Sequence, residues 1–198
     1  SALHQDRTTG VGSMRLTVRA PLAWDGGIVD VRALGAVGDG VTDDTAAFRA
    51  AFAALTVARR TIRVPAGVYL VSQALGDLAG PGESAARMIG DGRTASIIRG
   101  TATATFSPMI QLAGQDLELR DVGLELMAFD RATADAGTRK LLGVKAPGSR
   151  SGLRLIGCRF DAGRQLPWAL GGTTDVLIRD CDILGREAQM GTVKHCRI

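Results

Sequence analysis

The chain has 198 residues, 45% of them apolar, and a formal net charge of +4. This length and apolar content suffice for a sizeable core, so we expect a globular chain with one main domain. The sequence has no run of 18 apolar residues, which argues against a transmembrane helix. One Tyr and two Trp are too few for base stacking, which argues against nucleic-acid binding.

The first strong pattern is a glycine-punctuated motif. Residues 31–45 read VRALGAVGDGVTDDT, and the three glycines predict a short strand and a tight turn because glycine tolerates positive φ. A phosphate-binding loop is the rival interpretation, but no Lys-Ser or Lys-Thr pair follows the glycines. Residues 1–27 carry no signal-peptide pattern and are interpreted as a leader or attachment segment.

A helix is predicted next, over about residues 43–59. Thr42, Asp43 and Asp44 carry side-chain oxygens that can accept hydrogen bonds from the first helical turn. We therefore prefer capping to a catalytic role for the acidic pair. An apolar stripe predicts that one helix face is covered, and it consists of Ala47, Phe48, Ala51, Phe52 and Leu55.

The motif, the helix and the following segment IRVPAGVYL at residues 62–70 together resemble the opening of the pectate-lyase superfamily. That superfamily includes phage tailspike enzymes and secreted polysaccharide lyases and hydrolases. The resemblance implies an all-β fold, a right-handed single-stranded parallel β-helix with an N-terminal capping α-helix across its open end. Residues 28–198 would form this domain.

A short unit recurs in the second half of the chain. Residues 117–124, 153–160, 176–183 and 193–198 share a frame of strand, one turn residue and strand. The turn residues are Asp121, Gly157, Asp180 and His195, and the inward residues after them are Val122, Cys158, Cys181 and Cys196. The turn residues lie 36, 23 and 15 positions apart, which predicts a solenoid of about five or six turns with insertions.

The repeat has three consequences. We interpret the three cysteines as stacked apolar fillers rather than disulfides or metal ligands, and we expect no metal or cofactor. Residues 128–139 are predicted to project as a polar loop between turns. Because the chain stops inside a repeat, the domain is expected to be truncated at its C-terminal end.

Candidate catalytic residues lie on the strand after each turn residue. Its outward positions form two predicted columns: Gly123, Arg159, Asp182 and Arg197 in one, and Glu125, Asp161 and Leu184 in the other. Asp161 and Asp182 could flank a glycosidic bond, with Glu125 joining them. Arg159 and Arg197 could bind an acidic sugar. The alternative is a solvated salt-bridge ladder without catalytic function.

Trp168 is a further candidate for carbohydrate binding. It lies in the segment RQLPWALGG at residues 164–172, interpreted as a turn between rungs, where an indole ring could stack on a sugar. The alternative is that this ring packs over a strand edge.

The leading functional hypothesis is a spike or fibre of a phage-like particle that binds and depolymerises cell-surface polysaccharide. By resemblance, such a spike would be a homotrimer on the virion surface and would contact other particle proteins. One alternative is a stand-alone secreted, extracellular polysaccharide lyase or glycoside hydrolase. Another is a structural or binding segment without turnover.

Overall fold

The computed structural model describes residues 27–56, 61–102, 108–126, 140–145, 150–162, 166–169, 173–184 and 194–197. One α-helix lies in these ranges, α1 (Thr45–Ala53). In chain order the strands are β1 (Ile28–Asp30), β2 (Asp39–Asp43), β3 (Thr61–Val64), β4 (Gly67–Val71), β5 (Gly76–Leu78), β6 (Arg87–Gly90), β7 (Ser96–Gly100), β8 (Ile110–Leu112), β9 (Glu118–Arg120), β10 (Gly123–Leu126), β11 (Lys140–Val144), β12 (Arg150–Ser151), β13 (Arg154–Ile156), β14 (Arg159–Asp161), β15 (Leu166–Ala169), β16 (Thr173–Arg179), β17 (Asp182–Leu184) and β18 (Lys194–Arg197).

The strands form three sheets. Sheet A has the order β1-β3-β6-β9-β13-β16, with β12 and β18 also paired to β16; sheet B has the order β2-β4-β7-β10-β14-β17; and sheet C has the order β5-β8-β11-β15. Strands that are neighbours in a sheet lie one coil apart in sequence and pair in parallel. The chain therefore winds from sheet to sheet and adds one rung per coil, which confirms the predicted parallel β-helix. The six strands of sheet B match the predicted five or six turns.

The core runs through the middle of the coils. Alternate side chains of each strand point inward, as the period of two in a strand requires. On sheet B the inward column is Tyr69, Ile98, Leu124 and Phe160, all fully buried. The predicted inward residues of sheet A, Leu119, Leu155 and Ile178, are buried as well. Stacked apolar columns thus hold successive rungs together.

The helix α1 covers the core beside the first coil, and all five residues of its predicted stripe are buried. The Phe48 ring meets the Tyr69 ring edge to face, with the centroids 5.5 Å apart. Arg49 Nε donates a hydrogen bond to the Ala74 carbonyl at 2.9 Å. The predicted end at residue 59 is wrong. Ala54 to Thr56 are not helical, and Leu55 leaves helical geometry while staying buried.

The acidic pair is only partly a cap. Asp43 ends strand β2 and accepts hydrogen bonds from the Thr45 amide at 2.9 Å and from the Ser72 hydroxyl at 2.5 Å. Asp44 occupies the N-cap position, but its side chain makes no capping hydrogen bond. The predicted capping role of the Asp44 side chain is therefore wrong. Its carboxylate instead accepts from the amides of Val37 and Gly38 at 2.7 and 3.1 Å. The Asp44 carboxylate therefore closes the glycine turn that precedes it.

The last predicted repeat is out of frame. Asp121, Gly157 and Asp180 turn the chain with φ of 54°, 60° and 55°, as predicted. His195, however, lies inside strand β18, which places Cys196 beside Val176 and Arg197 beside Leu177 on sheet A. The 15 residues from Asp180 to His195 are too few for a coil, whereas the observed pairing of Thr174 with Lys194 spans 20. The predicted leader at residues 1–27 and the loop at 128–139 lie almost entirely outside the described residues.

Candidate functional site

The outer face of sheet B brings together four of the six predicted site residues. Gly123, Arg159 and Asp182 are in register, as are Glu125, Asp161 and Leu184. Both predicted columns are therefore confirmed up to β17. We call Arg99, Glu125, Arg159, Asp161 and Asp182 the sheet B face. Asp161 and Asp182 lie on neighbouring rungs, two positions apart.

Ion pairs connect the sheet B face from rung to rung. Arg99 Nη2 lies 2.8 Å from Glu125 Oε2, and Arg159 Nε lies 3.8 Å from Glu125 Oε1. Arg159 Nη2 reaches Asp161 Oδ2 at 3.2 Å on its own strand. The Glu125 side chain is 15% exposed and lies between two guanidinium groups. Arginines and carboxylates therefore pair from rung to rung along the helix axis. This arrangement is the salt-bridge ladder that the sequence offers as the alternative to a catalytic site.

Asp182 is held from a distant part of the chain. Arg93, between β6 and β7, places its Nε 3.1 Å from Asp182 Oδ2 and donates from Nη1 to the Asp180 carbonyl at 2.5 Å. The Arg93 carbonyl itself lies against Gly123, where any Cβ would collide with it. Arg93 thus spans from the rung of β7 to that of β17. The sequence did not predict a role for Arg93. The available signal was Gly123, a glycine at an outward strand position, which leaves room for the Arg93 carbonyl.

The structure does not bring Trp168 and Arg197 to this face. Trp168 lies in strand β15 of sheet C, in register with Leu142, so its placement in a turn is wrong. Arg197 lies on sheet A, because its strand pairs with β16. The short sequence repeat suggested the wrong register for Arg197, because β18 pairs with β16.

Two of the three cysteines stack as predicted. Cys158 is buried, Cys181 is partly buried on the next rung, and both are free thiols. Their Sγ atoms donate to the Leu119 and Leu155 carbonyls at 3.3 and 3.4 Å. Cys196 is not in this column, given the register of β18. Among the described residues, no three His, Cys, Asp or Glu side chains converge as metal ligands would.

In the part of the chain that the structure describes, no helix has the length and apolar character that a membrane crossing requires.

The sequence profile of the family described as rhamnogalacturonase A/epimerase, pectate lyase-like, matches residues 28–117. This match covers the motif, α1 and the strands β1 to β8 that build the first coils. The chain is a parallel β-helix, and its residues 28–117 are similar to this pectate-lyase-like family. An exopolygalacturonase from Arabidopsis thaliana is 54% identical to it over 46 residues, which are 23% of this chain and 10% of that protein.

A solved structure, the Agl-KA catalytic domain, resembles this chain with a TM-score of 0.54 at 18% identity. The alignment covers 88% of this chain and 37% of that one. At this identity the likeness establishes the fold alone. The chain spans a tenth of the matched plant protein and little more than a third of the solved structure.

Proposed function

We propose that this pectate-lyase-like β-helix binds a polysaccharide along the sheet B face and belongs to a protein that degrades that polysaccharide. The observation that carries the proposal is the row of outward carboxylates and arginines on rigid, stacked strands. Side chains on strands are held in place better than side chains on loops, which suits a site that must position a polymer. The match to a rhamnogalacturonase A/epimerase family and to an exopolygalacturonase supports the choice of a polysaccharide.

Asp161 and Asp182 are the proposed pair for cleavage. Strand geometry puts their Cα atoms about 8 Å apart, which allows the carboxyl separations found in glycoside hydrolases. In the structure Arg159 and Arg93 pair with these two carboxylates at 3.2 and 3.1 Å. Both pairs are partly exposed, so a bound sugar can displace the arginines at small cost. Glu125, between Arg99 and Arg159, then keeps Arg159 in position.

The test compares two double variants on uronate-containing and neutral polysaccharides, with new reducing ends and unsaturated products as the readouts. We expect D161N with D182N to lower cleavage at least a hundredfold, since each carboxyl group would lose its acid or base role. D77N with D116N removes two carboxylates outside the sheet B face and should leave cleavage unchanged. Full activity of the first double variant would mean that Asp161 and Asp182 only stabilise the fold.

A more specific form of the proposal makes the protein a homotrimeric spike on the surface of a phage-like particle. The free thiols of Cys158 and Cys181 support it, because secreted domains more often pair their cysteines. Light scattering tests it, and a trimer is the expected result. A monomer that cleaves a uronate polymer would favour the alternative, a secreted lyase or hydrolase that acts alone.

A further inference from the structure

The outer face of sheet A carries one arginine on each of five successive rungs. We call these residues the arginine track: Arg63 on β3, Arg87 on β6, Arg120 on β9, Arg154 on β13 and Arg179 on β16. They come from five separate parts of the sequence. In linear order they look like scattered basic residues, and only the strand register brings them together.

The arginines alternate between two columns. Arg87 and Arg154 share one column with Glu118 between them. Arg63, Arg120 and Arg179 share the other column, with Ile89 and Ile156 between them. Since rungs are about 4.8 Å apart, the track advances by about 4.8 Å per charge, and charges in one column are about 10 Å apart. The positive groups therefore follow a zigzag along the helix axis.

The track is available to a ligand. Arg87 and Arg154 are exposed and have no ion pair within the described part of the chain. Arg63, Arg120 and Arg179 pair with Asp91, Glu118 and Asp180 at 2.8, 2.9 and 3.4 Å. The Arg63 and Arg179 side chains are 49% and 59% exposed, so their pairs contribute little and can exchange for a ligand carboxylate. Arg120 is 41% exposed, but its partner Glu118 is only 11% exposed.

Acidic residues border the track on both sides. The corner toward sheet B carries Asp91, Asp121 and Asp180, and the corner from sheet C carries Asp116 and Asp175. A polyanion laid across the face would meet these carboxylates, whereas one laid along the axis would meet mainly guanidinium groups. The borders thus restrict the direction of a bound chain, and they make its affinity modest and sensitive to salt.

We infer that the arginine track binds an extended uronic-acid polysaccharide whose chain runs parallel to the β-helix axis. Such a polymer has one carboxylate per sugar, on alternating sides, and each sugar is about as long as one rung. Ile89 and Leu177 lie between the charges and offer apolar contact to sugar C–H groups. A nucleic acid fits less well, because its phosphates recur about every 3.4 Å per strand and the track has no aromatic side chain for stacking.

This surface goes beyond the proposed function, since it lies on another sheet and requires no cleavage. The test is titration calorimetry of the 198-residue chain with an oligogalacturonate and with its carboxyl-reduced, neutral counterpart. R87Q with R154Q removes two exposed charges that have no ion pair among the described residues. R49Q with K145Q also removes two positive charges, one on α1 and one directly after β11. E118Q removes the one carboxylate that lies in register between Arg87 and Arg154.

We expect the first double variant to weaken oligogalacturonate binding about tenfold at low salt, the second by less than twofold, and E118Q to strengthen it. The neutral oligomer should bind weakly to every variant. Equal losses in both double variants, or tighter binding of single-stranded DNA, would overturn the inference. Binding that survives D161N with D182N would separate this surface from the sheet B face. Thermal melting checks that each variant is folded.

Discussion

Three successive corners between sheets A and B each depend on one residue in the left-handed backbone region. Asp121, Gly157 and Asp180 occupy three successive corners with nearly equal φ. Only the middle one must be glycine, because the Asp121 carboxylate lies where a Cβ of residue 157 would be. The Asp121 side chain therefore occupies the space that the absent side chain of Gly157 leaves on the next rung.

Gly157→Ala should destabilise the protein by about 2–3 kcal/mol, the sum of left-handed strain and a steric overlap with Asp121. Gly82→Ala is the matched control, since Gly82 has a φ of 65° and no atom near its Cβ position. It carries the strain alone and should cost about 1 kcal/mol. Urea unfolding measures both. Equal losses at the two positions would show that the Asp121 contact is relaxed without cost.

The stacked thiols of Cys158 and Cys181 influence each other. When Cys181 is a thiolate it can accept a hydrogen bond from the neighbouring Cys158 thiol, and this lowers the pKa of Cys181 to about 7 against the opposing effect of burial. The hydrogen bond with Cys181 and burial raise the pKa of Cys158. The two cysteines thus have the same place in the frame but different reactivity.

Cys158→Ala should move the pH midpoint of Cys181 alkylation upward, toward the ordinary thiol value of about 8.5, because Cys181 loses its donor. Iodoacetamide labelling followed by mass spectrometry measures this midpoint, in a background with Cys196→Ser. Val122→Ala trims the same column without removing a donor and should leave the midpoint in place. An unchanged midpoint in Cys158→Ala would rule out the hydrogen bond as the cause.

At the scale of elements, the junction between β2 and α1 depends on one carboxylate. Burial raises the pKa of Asp43, but hydrogen bonds from Ser72 and Thr45 lower it more, so the pKa lies below its ordinary value. The unfolded chain then binds more protons than the folded chain at acidic pH. The contribution of Asp43 to stability is complete above the unfolded pKa of about 3.9 and is lost as the pH falls through the folded pKa.

Asp43→Asn should therefore flatten the acid limb of the stability curve, with the largest difference from the parent protein above about pH 4 and convergence at lower pH. Urea midpoints measured across this range provide the test. Ser72→Ala keeps the carboxylate but removes one donor, so a smaller change of the same sign is expected. A constant offset between parent and Asp43→Asn at every pH would contradict the linkage.

Most elements were predictable from local sequence patterns, and the failures have physical causes. Turn residues and alternation predicted the register from β9 to β17, because each coil there contains its own corner signal. The last unit failed because His195 resembles a corner only by alignment, whereas pairing must satisfy the length of a coil. Arg93 and the arginine track were invisible because their contacts join residues far apart in sequence.

At the scale of the whole molecule, the outer faces of sheets A and B differ in charge pattern. The sheet B face alternates arginine with carboxylate, and its ion pairs link neighbouring rungs. The arginine track on sheet A repeats one charge sign and leaves Arg87 and Arg154 without ion pairs in the described residues. A stack of nearly identical rungs can thus present different chemistry on each sheet while its core stays apolar.

Stability in such a stack should be local, because each rung contacts chiefly its neighbours. Phe48 on α1 and Phe160 on β14 are both fully buried, near opposite ends of the described core. Each change to Ala removes a large apolar group and should cost about 3–5 kcal/mol.

Phe48→Ala should speed amide exchange in β2 and β4 while β14 and β17 stay protected, and Phe160→Ala should do the reverse. Hydrogen exchange with mass spectrometry resolves these segments. A uniform increase in either variant would mean that the rungs unfold as one cooperative unit rather than as coupled neighbours.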